Sequence, residues 1–428
     1  MYPMAAYSRK ANLMIFLIGK PQALLYNGSM KILIISNLYP PAVLGGYEIL
    51  CGQVVQFLQQ RGHQVTVVTS DHGDAEAQQG VLRTLKLFVP FGQPAGMHRM
   101  KRLRAARYNY RETARVIREA GFDAVFVWSL LRLTPSPLRA ASDAGVPAVC
   151  TFNDENISGY LPSPFSPAPK SLLRWAADRL MPQITLRGID FPCTTCISRL
   201  IKENLVNRGL PIASSRVIYQ GIPLERFPVK SSPGVIGTPV KLLYAGQLHP
   251  YKGVHTILSA LELLKQDSLL PPFELTIAGQ GPQEYTDRLR DQAAAGDLPA
   301  KLAGSAAHHQ MPEVYRAHDI FIFPSIWQEP FGLTHLEAMA SGIPVVSTAH
   351  GGQGEFLIDG ENCLTFPAED AEALAGQLKR LMTDPGLSVS LAAEGRRTAE
   401  QSFSFTRYAE ELEDLLAEAA GYSGEIVN

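Results

Sequence analysis

The chain has 428 residues, which is long for a single hydrophobic core and suits two domains. Apolar residues make up 46% and charged residues 18%, so the composition excludes a disordered or fibrous protein. The 39 Lys and Arg residues nearly balance the 40 Asp and Glu residues, and the net charge of −1 argues against a nucleic-acid-binding protein, which usually carries a basic excess.

The five cysteines, an odd number, indicate reduced thiols in a cytoplasmic protein, because most of them lie inside apolar runs. They are Cys51, Cys150, Cys193, Cys196 and Cys363. Cys193 and Cys196 form a CxxC pair, but neither a second pair nor suitably spaced histidines accompany it, as a zinc site requires. The pair ends an apolar stretch typical of a strand, so we favour a structural role over a metal or redox role.

The segment 1–29 precedes Met30–Ser36, which is typical of a first strand that begins at a natural start position. Within it, Leu13–Ile18 is apolar but much shorter than the roughly 20 residues that span a bilayer. This run follows Arg9 and Lys10 as in a signal peptide, yet no A-x-A-type cleavage site follows it. We predict an over-extended start and a disordered, non-functional extension.

From residue 31, short β-branched runs alternate with amphipathic helical segments, which is the pattern of a parallel sheet covered on both faces. The alternation stops where Pro, Gly and Ser give the composition of a linker, and it then restarts. The pattern predicts two doubly wound α/β domains with a ligand cleft between the carboxyl ends of their sheets. The predicted bounds are 30–222 for the acceptor-side domain, 223–239 for the linker, 240–405 for the donor-nucleotide-binding domain, and 406–428 for a C-terminal helix that returns to the first domain.

The most informative local feature follows the predicted strand 320–323, where a loop leads through the sequence EPFGL into a helix. Gly332 lacks a β-carbon, so a ligand can approach the backbone closely. Free amides at a helix start, together with the helix dipole, favour an anionic or polyhydroxylated ligand. The amides in question belong to Phe331, Gly332 and Leu333.

Two acidic residues flank this helix start, Glu329 before it and Glu337 about two turns inside it. They are too far apart to bind the same ligand atom, so we expect one carboxylate to accept from sugar hydroxyls and the other from a ribose diol. Taken singly, each acid could equally be a solvated surface side chain, since Glu is usually exposed.

The string from Glu329 to Val345, E-P-F-G-L-x-x-x-E-A-M-A-x-G-x-P-V, resembles the signature of the retaining glycosyltransferases of family 4, which have the GT-B fold. The likeness extends over nearly all of 30–420. It implies transfer of a sugar from a nucleoside diphosphate donor to an acceptor hydroxyl, with Glu329 orienting the donor sugar. It also implies that no cofactor and no essential metal is needed, and no DxD-like acidic pair in a strand context is evident.

Two further segments resemble parts of the same family. Gly45 and Gly46 lie between the first strand and the first helix, where paired glycines let backbone amides approach a phosphate; a plain turn is the alternative. Lys252 matches the family lysine that contacts the donor diphosphate. Gln247 stands where many relatives have arginine and cannot supply charge, so either Lys252 and the helix dipoles suffice or another basic residue reaches the site.

The first domain departs from the family pattern at two strand ends. Trp128-Ser129 and the segment Thr151–Asp154 stand where relatives carry histidines. Asn153 and Asp154 are therefore the candidates for contact with the donor sugar or the acceptor. Glycine turns that, by resemblance, line the nucleotide side of the cleft occur at Gly279, Gly281, Gly351 and Gly352.

A cluster of basic residues fills 99–118, with only Glu112 among them to compensate. One interpretation is a solvated helix face. The other is an amphipathic basic segment attracted to anionic lipid headgroups. The cations are Arg99, Lys101, Arg102, Arg104, Arg107, Arg111, Arg115 and Arg118.

We therefore expect a metal-independent, hexosyltransferase-type glycosyltransferase of cell-surface polysaccharide or glycolipid synthesis. Its partners would be a nucleotide-sugar donor and a sugar or lipid-linked acceptor, without nucleic acid, in the cytoplasm or at the inner face of the membrane. Two alternatives stay open: a sugar-nucleotide epimerase or a sucrose- or trehalose-type synthase on the same fold, and a non-catalytic sugar-nucleotide-binding protein.

Overall fold

The computed structural model describes residues 28–73, 76–93, 99–164 and 168–422. Most of the predicted disordered extension, 1–27, lies outside these described residues. The described chain forms two sheets whose strands pair in parallel, one seven-stranded with order β3-β2-β1-β4-β5-β6-β7 and one six-stranded with order β10-β9-β8-β11-β12-β13. The strands are β1 Lys31–Ser36, β2 Gln64–Ser70, β3 Val81–Leu85, β4 Ala124–Val127, β5 Ala148–Phe152, β6 Cys193–Cys196, β7 Arg216–Val217, β8 Val240–Ala245, β9 Phe273–Ala278, β10 Ala300–Gly304, β11 Ile320–Phe323, β12 Val345–Ser347 and β13 Leu364–Thr365.

Helices connect most successive strands in both halves, so the predicted α/β class with two doubly wound domains is confirmed. The helices are α1 Gly46–Gln60, α2 Arg99–Ala120, α3 Ser136–Asp143, α4 Pro169–Leu180, α5 Arg199–Asn207, α6 Val254–Lys265, α7 Gln283–Ala295, α8 Met311–Arg316, α9 Leu333–Ala340, α10 Ala371–Thr383, α11 Pro385–Ser402 and α12 Phe405–Ala419.

Strand β1 explains why the first sheet is covered on both faces. Successive side chains of a strand point to opposite faces, and every residue of β1 after Lys31 is buried. Ile32 and Ile34 pack with α1 and α12, whereas Leu33 and Ile35 pack with α2 and α3. A continuous apolar run is therefore required here, and alternation would leave polar groups in a core.

The chain crosses between the domains at two adjacent places. The amide of Ile222 donates to the carbonyl of Phe403 at 2.9 Å, and the amide of Phe405 donates back to Ile222 at 2.8 Å. A β-carbon on Gly221 would lie 2.1 Å from the carbonyl oxygen of Ser404, so only glycine permits this approach. The two crossings therefore lie side by side and are bonded to each other.

A third contact between the domains is made by Glu355 of the second domain. Its carboxylate accepts from the amides of Arg199 and Leu200, at 3.0 and 2.9 Å, and therefore caps the start of α5 in the first domain. The hydroxyl of Tyr219 donates to the same carboxylate at 2.9 Å. This carboxylate satisfies otherwise free helix amides and favours the observed placement of the two domains.

Helix α12 lies on the first domain, although it follows the last helices of the second. Its buried Tyr408, Leu412 and Leu416 pack with the apolar residues of β1 and β4. Glu413 on the same helix is also buried, and it accepts from His63 at 2.8 Å and from Arg61 at 3.2 Å. Burial by itself raises the pKa of Glu413, but the hydrogen bonds from His63 and Arg61 hold that pKa below its ordinary value.

Replacing Glu413 by Ala is expected to lower the free energy of unfolding by about 3 kcal/mol, because it leaves Arg61 and His63 without their buried partner. Chemical unfolding followed by tryptophan fluorescence measures this change. The exposed pair of Arg216 with Glu418, on the same helix, supplies the control: Glu418→Ala should change the free energy by less than about 1 kcal/mol. If Glu413→Ala and Glu418→Ala lowered the free energy of unfolding equally, the buried contacts of Glu413 with Arg61 and His63 would not stabilise the fold.

The cysteines do not form a metal site in the described residues. Cys193 and Cys196 are the first and last residues of β6, and all five cysteines are free thiols. Burial raises the pKa of Cys196 to about 11, which keeps the thiol protonated and unreactive. Across the described ranges, no group of three or more His, Cys, Asp or Glu side chains could hold a metal ion. Nor is any described helix both long and apolar enough to cross a membrane.

Candidate active site

The site begins where two neighbouring strands of the second sheet end. β8 and β11 pair in parallel, so the loops that follow them meet at the same edge. Lys252 lies in the first loop and Glu329 in the second, and Lys252 Nζ donates to Glu329 Oε1 at 2.6 Å. Ser325 Oγ donates to the same oxygen at 2.7 Å. Both charged side chains are largely buried, with exposed fractions of 11% and 8%.

Glu329 keeps one carboxylate oxygen free. Its Oε1 is held by Lys252 and Ser325, while Oε2 accepts no hydrogen bond from any described residue and is not completely buried. An ionised carboxylate oxygen is an acceptor only. The free oxygen is therefore suited to a ligand hydroxyl that enters from the cleft.

Aromatic rings surround the ammonium group of Lys252. Its Nζ lies 5.3 Å from the ring centre of Trp327, 5.6 Å from that of Phe323 and 5.7 Å from that of Tyr251. Such rings stabilise a partly desolvated cation. The carbonyl of Tyr251 accepts from the amides of Ile326 and Trp327, so the two loops are bonded to each other and hold the lysine in place.

Glycines allow the surrounding loops to pack backbone against backbone. A β-carbon on Gly279 would lie 1.9 Å from the carbonyl oxygen of Gly246, and one on Gly281 would lie 1.8 Å from that of Leu248. A β-carbon on Gly352 would lie 2.1 Å from the carbonyl oxygen of Pro330. These close backbone contacts therefore help to hold the loops of Lys252 and Glu329 in place. The glycines alone did not indicate this role in the sequence.

Helix α9 starts at Leu333, with Gly332 as its N-cap at φ 115°, a conformation that favours glycine. The side chain of Phe331 is 1% exposed and packs against Tyr219, Phe356 and Phe403, so it can offer only its backbone to a ligand. These rings come from both domains and from the returning chain. The packing of these rings fixes the orientation of the start of α9.

Glu337 lies one turn after Leu333 on the same face of α9, and not about two turns inside the helix as predicted, because the helix starts only at Leu333. The hydroxyl of Tyr315 donates to its carboxylate at 2.8 Å. Burial raises the pKa of Glu337 to about 7, although the hydrogen bond from Tyr315 opposes the rise. The group therefore stays protonated to a higher pH than an exposed glutamate does.

The glycine loop of the first domain, which contains Gly45 and Gly46, lies close to the start of α9. A β-carbon on Gly46 would lie 3.7 Å from Leu333 Cδ1, whereas one on Gly45 would have no atom within 4 Å. The carboxylate of Glu48 accepts from the amides of Leu44 and Gly45, at 3.2 and 3.0 Å. The amide of Gly45 already donates to Glu48, so it is not available to a ligand. Gly45 can assist ligand binding only because it lacks a β-carbon and lets a ligand approach the backbone closely.

Asn153 and Asp154 line a small cavity of about 30 Å³ at the carboxyl ends of β4 and β5. Asn153 Nδ2 donates to the hydroxyl of Tyr47 at 3.1 Å, and Asn153 Oδ1 accepts from Gln220 at 3.0 Å. Burial raises the pKa of Asp154, and its carboxylate accepts from the amide and the side chain of Asn156. Tyr47 follows Gly46 directly, so this pocket adjoins the glycine loop.

Two protein-family models match the chain, and their boundary falls at the first crossing between the domains. The model for Glycosyltransferase Family 4 matches residues 44–226, and the model for Glycosyl transferases group 1 matches residues 228–398. The first match includes the glycine loop and the Asn153 pocket, and the second includes Lys252, Glu329 and Glu337. The chain belongs to the family 4 glycosyltransferases.

Relatives and solved structures agree with this membership. Glycogen synthase from Mycobacterium tuberculosis is 28% identical over 396 residues, which cover 88% of this chain and 92% of that protein. The amylovoran biosynthesis glycosyltransferase AmsK from Erwinia amylovora is 33% identical to this chain where the two align. The aligned part covers 51% of this chain and 55% of AmsK. The solved structure of Anabaena HepE in complex with UDP-glucose shares the fold, with a TM-score of 0.66 and 20% identity over 91% of this chain and 100% of that chain.

The predicted site residues of this glycosyltransferase fall into two groups. Lys252, Glu329 and the helix start form one continuous site, with Gly46 opposite it. Asn153 and Asp154 face the separate pocket of the first domain. The side chain of Gln247 is exposed and forms no contact with Lys252 or Glu329, while its carbonyl accepts from the hydroxyl of Tyr244 at 2.8 Å.

Sequence reasoning missed several residues that shape the site. Ser325 lies two residues after the end of β11, and this position near a strand end could have identified it. Tyr315 and Glu48 gave no local signal, because each acts on a residue that only the fold or the loop conformation brings close. Trp128 is buried, and the ring of Tyr47 stacks on it with 5.4 Å between the ring centres.

Proposed function

We propose that this enzyme transfers a hexose from a nucleoside diphosphate donor to an acceptor hydroxyl, with retention at the anomeric carbon and without an essential metal. One observation carries the proposal. Lys252 and Glu329 form a buried pair at the ends of β8 and β11, and the free Oε2 of Glu329 lies in the loop that leads to the start of α9. A cation for the diphosphate and an acceptor for a sugar hydroxyl thus lie side by side.

The donor would place its diphosphate near Lys252 and the helix-start amides, which stabilise the negative charge that develops as the sugar leaves. Glu329 would hold a sugar hydroxyl through Oε2. The bond between the anomeric carbon and the phosphate oxygen breaks, and the acceptor oxygen bonds to that carbon on the same face. The acceptor proton passes to the departing phosphate oxygen, so no nucleophile of the enzyme is required. Lys252 and the amides take the role that Mg²⁺ plays in other transferases.

The acceptor would bind beside Asn153 and Asp154, at the mouth of the small cavity that Tyr47 also lines next to the glycine loop. The relatives support a saccharide acceptor, since one is named for glycogen synthesis and another for amylovoran biosynthesis. HepE supports a nucleotide-sugar donor, because it has been solved with UDP-glucose. We infer a role in polysaccharide or glycolipid synthesis in the cytoplasm.

A thermal-shift screen against a panel of nucleoside diphosphate sugars, with and without a metal chelator, tests the donor site. Binding to the folded state alone raises the apparent stability, so one donor class should raise Tm in the wild type. Lys252→Ala should abolish that shift, and the chelator should leave it unchanged. A shift that requires added Mg²⁺, or one that Lys252→Ala retains, would contradict the proposal.

Gly45→Ala is expected to fold normally and yet to lower kcat/KM about tenfold, by displacing the donor from its closest approach. The backbone of Gly45 is extended and a β-carbon there meets no atom, so stability should fall by less than about 1 kcal/mol. Gly376→Ala is the control, because it also enters open space but lies on α10. Full activity of Gly45→Ala would show that no substrate approaches this loop.

A further inference from the structure

Two aromatic side chains beside the candidate active site are exposed to solvent. Trp327 is 46% exposed and Tyr251 is 40% exposed, and their ring centres lie 5.9 Å apart with an angle of 76° between the ring planes. Single exposed rings are common on protein surfaces, whereas two in contact at a candidate active site indicate a surface that a ligand covers. We call these two rings the aromatic wall.

The main chain holds the aromatic wall in one arrangement. The carbonyl of Tyr251 accepts from the amides of Ile326 and Trp327, at 2.9 and 3.0 Å, so the two rings lie on loops that are bonded to each other. The ring of His249 stacks on Tyr251, with 5.0 Å between the ring centres and 14° between the planes. A wall that is already ordered loses little conformational entropy when it binds a ligand.

The polar tips of both rings are free. Neither the indole N–H of Trp327 nor the hydroxyl of Tyr251 forms a hydrogen bond with any described residue, and neither group is completely buried. Burial raises the pKa of Tyr251, and the nearby carboxylate of Glu329 raises it further, so the hydroxyl keeps its proton. The aromatic wall therefore combines apolar ring surface with donors at its edge, which matches a sugar ring with its C–H face and its hydroxyls.

The aromatic wall adjoins the Lys252–Glu329 pair. Lys252 Nζ lies 5.3 Å from the ring centre of Trp327 and 5.7 Å from that of Tyr251, and it donates to Glu329 Oε1 at 2.6 Å. The ammonium group thus lies against the rings and the carboxylate at once. A ring-sized ligand that donates to the free Oε2 of Glu329 therefore lies within reach of the exposed rings.

We propose that the aromatic wall packs against the apolar C–H face of the donor hexose and selects a neutral sugar. This role rests on the proposed function, which places the diphosphate at Lys252 and a sugar hydroxyl at Glu329. A hexose held between these two points covers apolar surface of the wall, and that burial favours binding.

The same groups disfavour an anionic sugar such as a hexuronic acid. Its carboxylate would approach the acceptor-only oxygen of Glu329 and the negative faces of the rings. The positive charge of Lys252 is already shared between Glu329 and the diphosphate, so it does not compensate a further negative charge. The aromatic wall and Glu329 together therefore favour neutral hexoses.

The nucleobase of the donor is another group that stacks on aromatic rings. The sugar is favoured because the free acceptor of Glu329 lies beside the wall, and because sugar hydroxyls both donate to it and accept from the ring tips. The two possibilities differ in a measurable way. The sugar is absent from the free nucleoside diphosphate, whereas the base is present in both ligands.

Titration calorimetry without acceptor tests the proposal, with the donor that gives the largest thermal shift and with its free nucleoside diphosphate. Trp327→Ala should weaken binding of the nucleotide sugar about tenfold and should change binding of the free nucleoside diphosphate by less than about twofold. Trp327→Phe keeps an aromatic ring and should recover most of the affinity. Tyr108→Ala is the matched control and should leave both affinities unchanged. Tyr108 is 45% exposed and has Lys86 Nζ 5.8 Å from its ring centre, but it lies on α2.

Unchanged binding of the nucleotide sugar to Trp327→Ala would overturn the proposal. Equal weakening of both ligands would also overturn it, because the ring would then stack on the base or hold Lys252 in place. A panel of neutral and anionic donors in which a hexuronic acid gives the largest thermal shift would contradict the selection of a neutral sugar.

The two proposals fail in different ways. If Lys252→Ala abolishes the thermal shift while Trp327→Ala binds the nucleotide sugar as tightly as the wild type, only the role of the aromatic wall is wrong. If no nucleoside diphosphate sugar raises Tm in the wild type, the proposed donor site fails and the role of the aromatic wall fails with it.

Discussion

Lys252→Ala is expected to lower kcat/KM about 100-fold, because it removes the cation that would stabilise the departing diphosphate. Glu329→Ala should cause a similar loss, since it removes the acceptor for the donor sugar. Each substitution also leaves the other charge of a buried pair without its partner, which costs stability. Steady-state kinetics should therefore be measured at a temperature where circular dichroism shows that every variant is folded.

The pair of Lys230 and Asp319 is the matched control for this loss. Lys230 Nζ lies 2.5 Å from Asp319 Oδ1, and this pair is about as buried as Lys252 and Glu329. It lies in the same region of the chain but contacts neither the Lys252 loop nor the Glu329 loop. Lys230→Ala should destabilise the protein to a similar extent and leave kcat/KM nearly unchanged. If Lys230→Ala and Lys252→Ala reduced activity equally, the loss would reflect stability and the assignment of Lys252 would be wrong.

Glu337→Gln is expected to stabilise the free enzyme at about pH 8 by about 3 kcal/mol. The pKa of Glu337 is raised from 4.5 to about 7 by burial, so the folded protein binds more protons than the unfolded chain between these values. Stability from this group is therefore present at low pH and is lost as pH rises towards 7. Glutamine carries no charge at any pH and can still accept from Tyr315.

Melting temperatures at about pH 5 and about pH 8 measure this difference, since other titrating groups are common to both proteins. The wild type should lose more stability over this range than Glu337→Gln does. Parallel pH profiles would contradict the raised pKa.

The same substitution should weaken donor binding. If a ribose diol donates to Glu337, binding favours the ionised carboxylate and the donor KM of the wild type should fall as pH rises through 7. In Glu337→Gln the donor KM should be about tenfold higher at about pH 8 and should vary little with pH. A donor KM that is unchanged by the substitution would exclude contact between Glu337 and the donor.

The sequence allowed the two-domain α/β fold and its family to be predicted, because both depend on local signals. Continuous apolar runs such as β1 indicate parallel strands buried on both faces, and the EPFGL string identifies a helix start after a strand. Lys252 and Glu329 were both predicted site residues, but their mutual ion pair joins residues 77 positions apart. That contact depends on the pairing of β8 with β11, which composition and periodicity do not specify.

Features that depend on burial could not be predicted. The pKa of Glu337 is raised because the surrounding core excludes water from its carboxyl group, and the sequence equally allowed a solvated helix acid. The aromatic ring of Phe331 is buried in a cluster that the returning chain completes through Phe403.

The most direct test of the central claim is the stereochemical course of the reaction, followed by proton and phosphorus NMR. The wild type is incubated with the donor that gives the largest thermal shift and with a saccharide acceptor. We predict release of the nucleoside diphosphate together with a new glycosidic bond that keeps the anomeric configuration of the donor. An inverted product, or an epimerised donor with no acceptor consumed, would contradict the proposed reaction at the Lys252–Glu329 site.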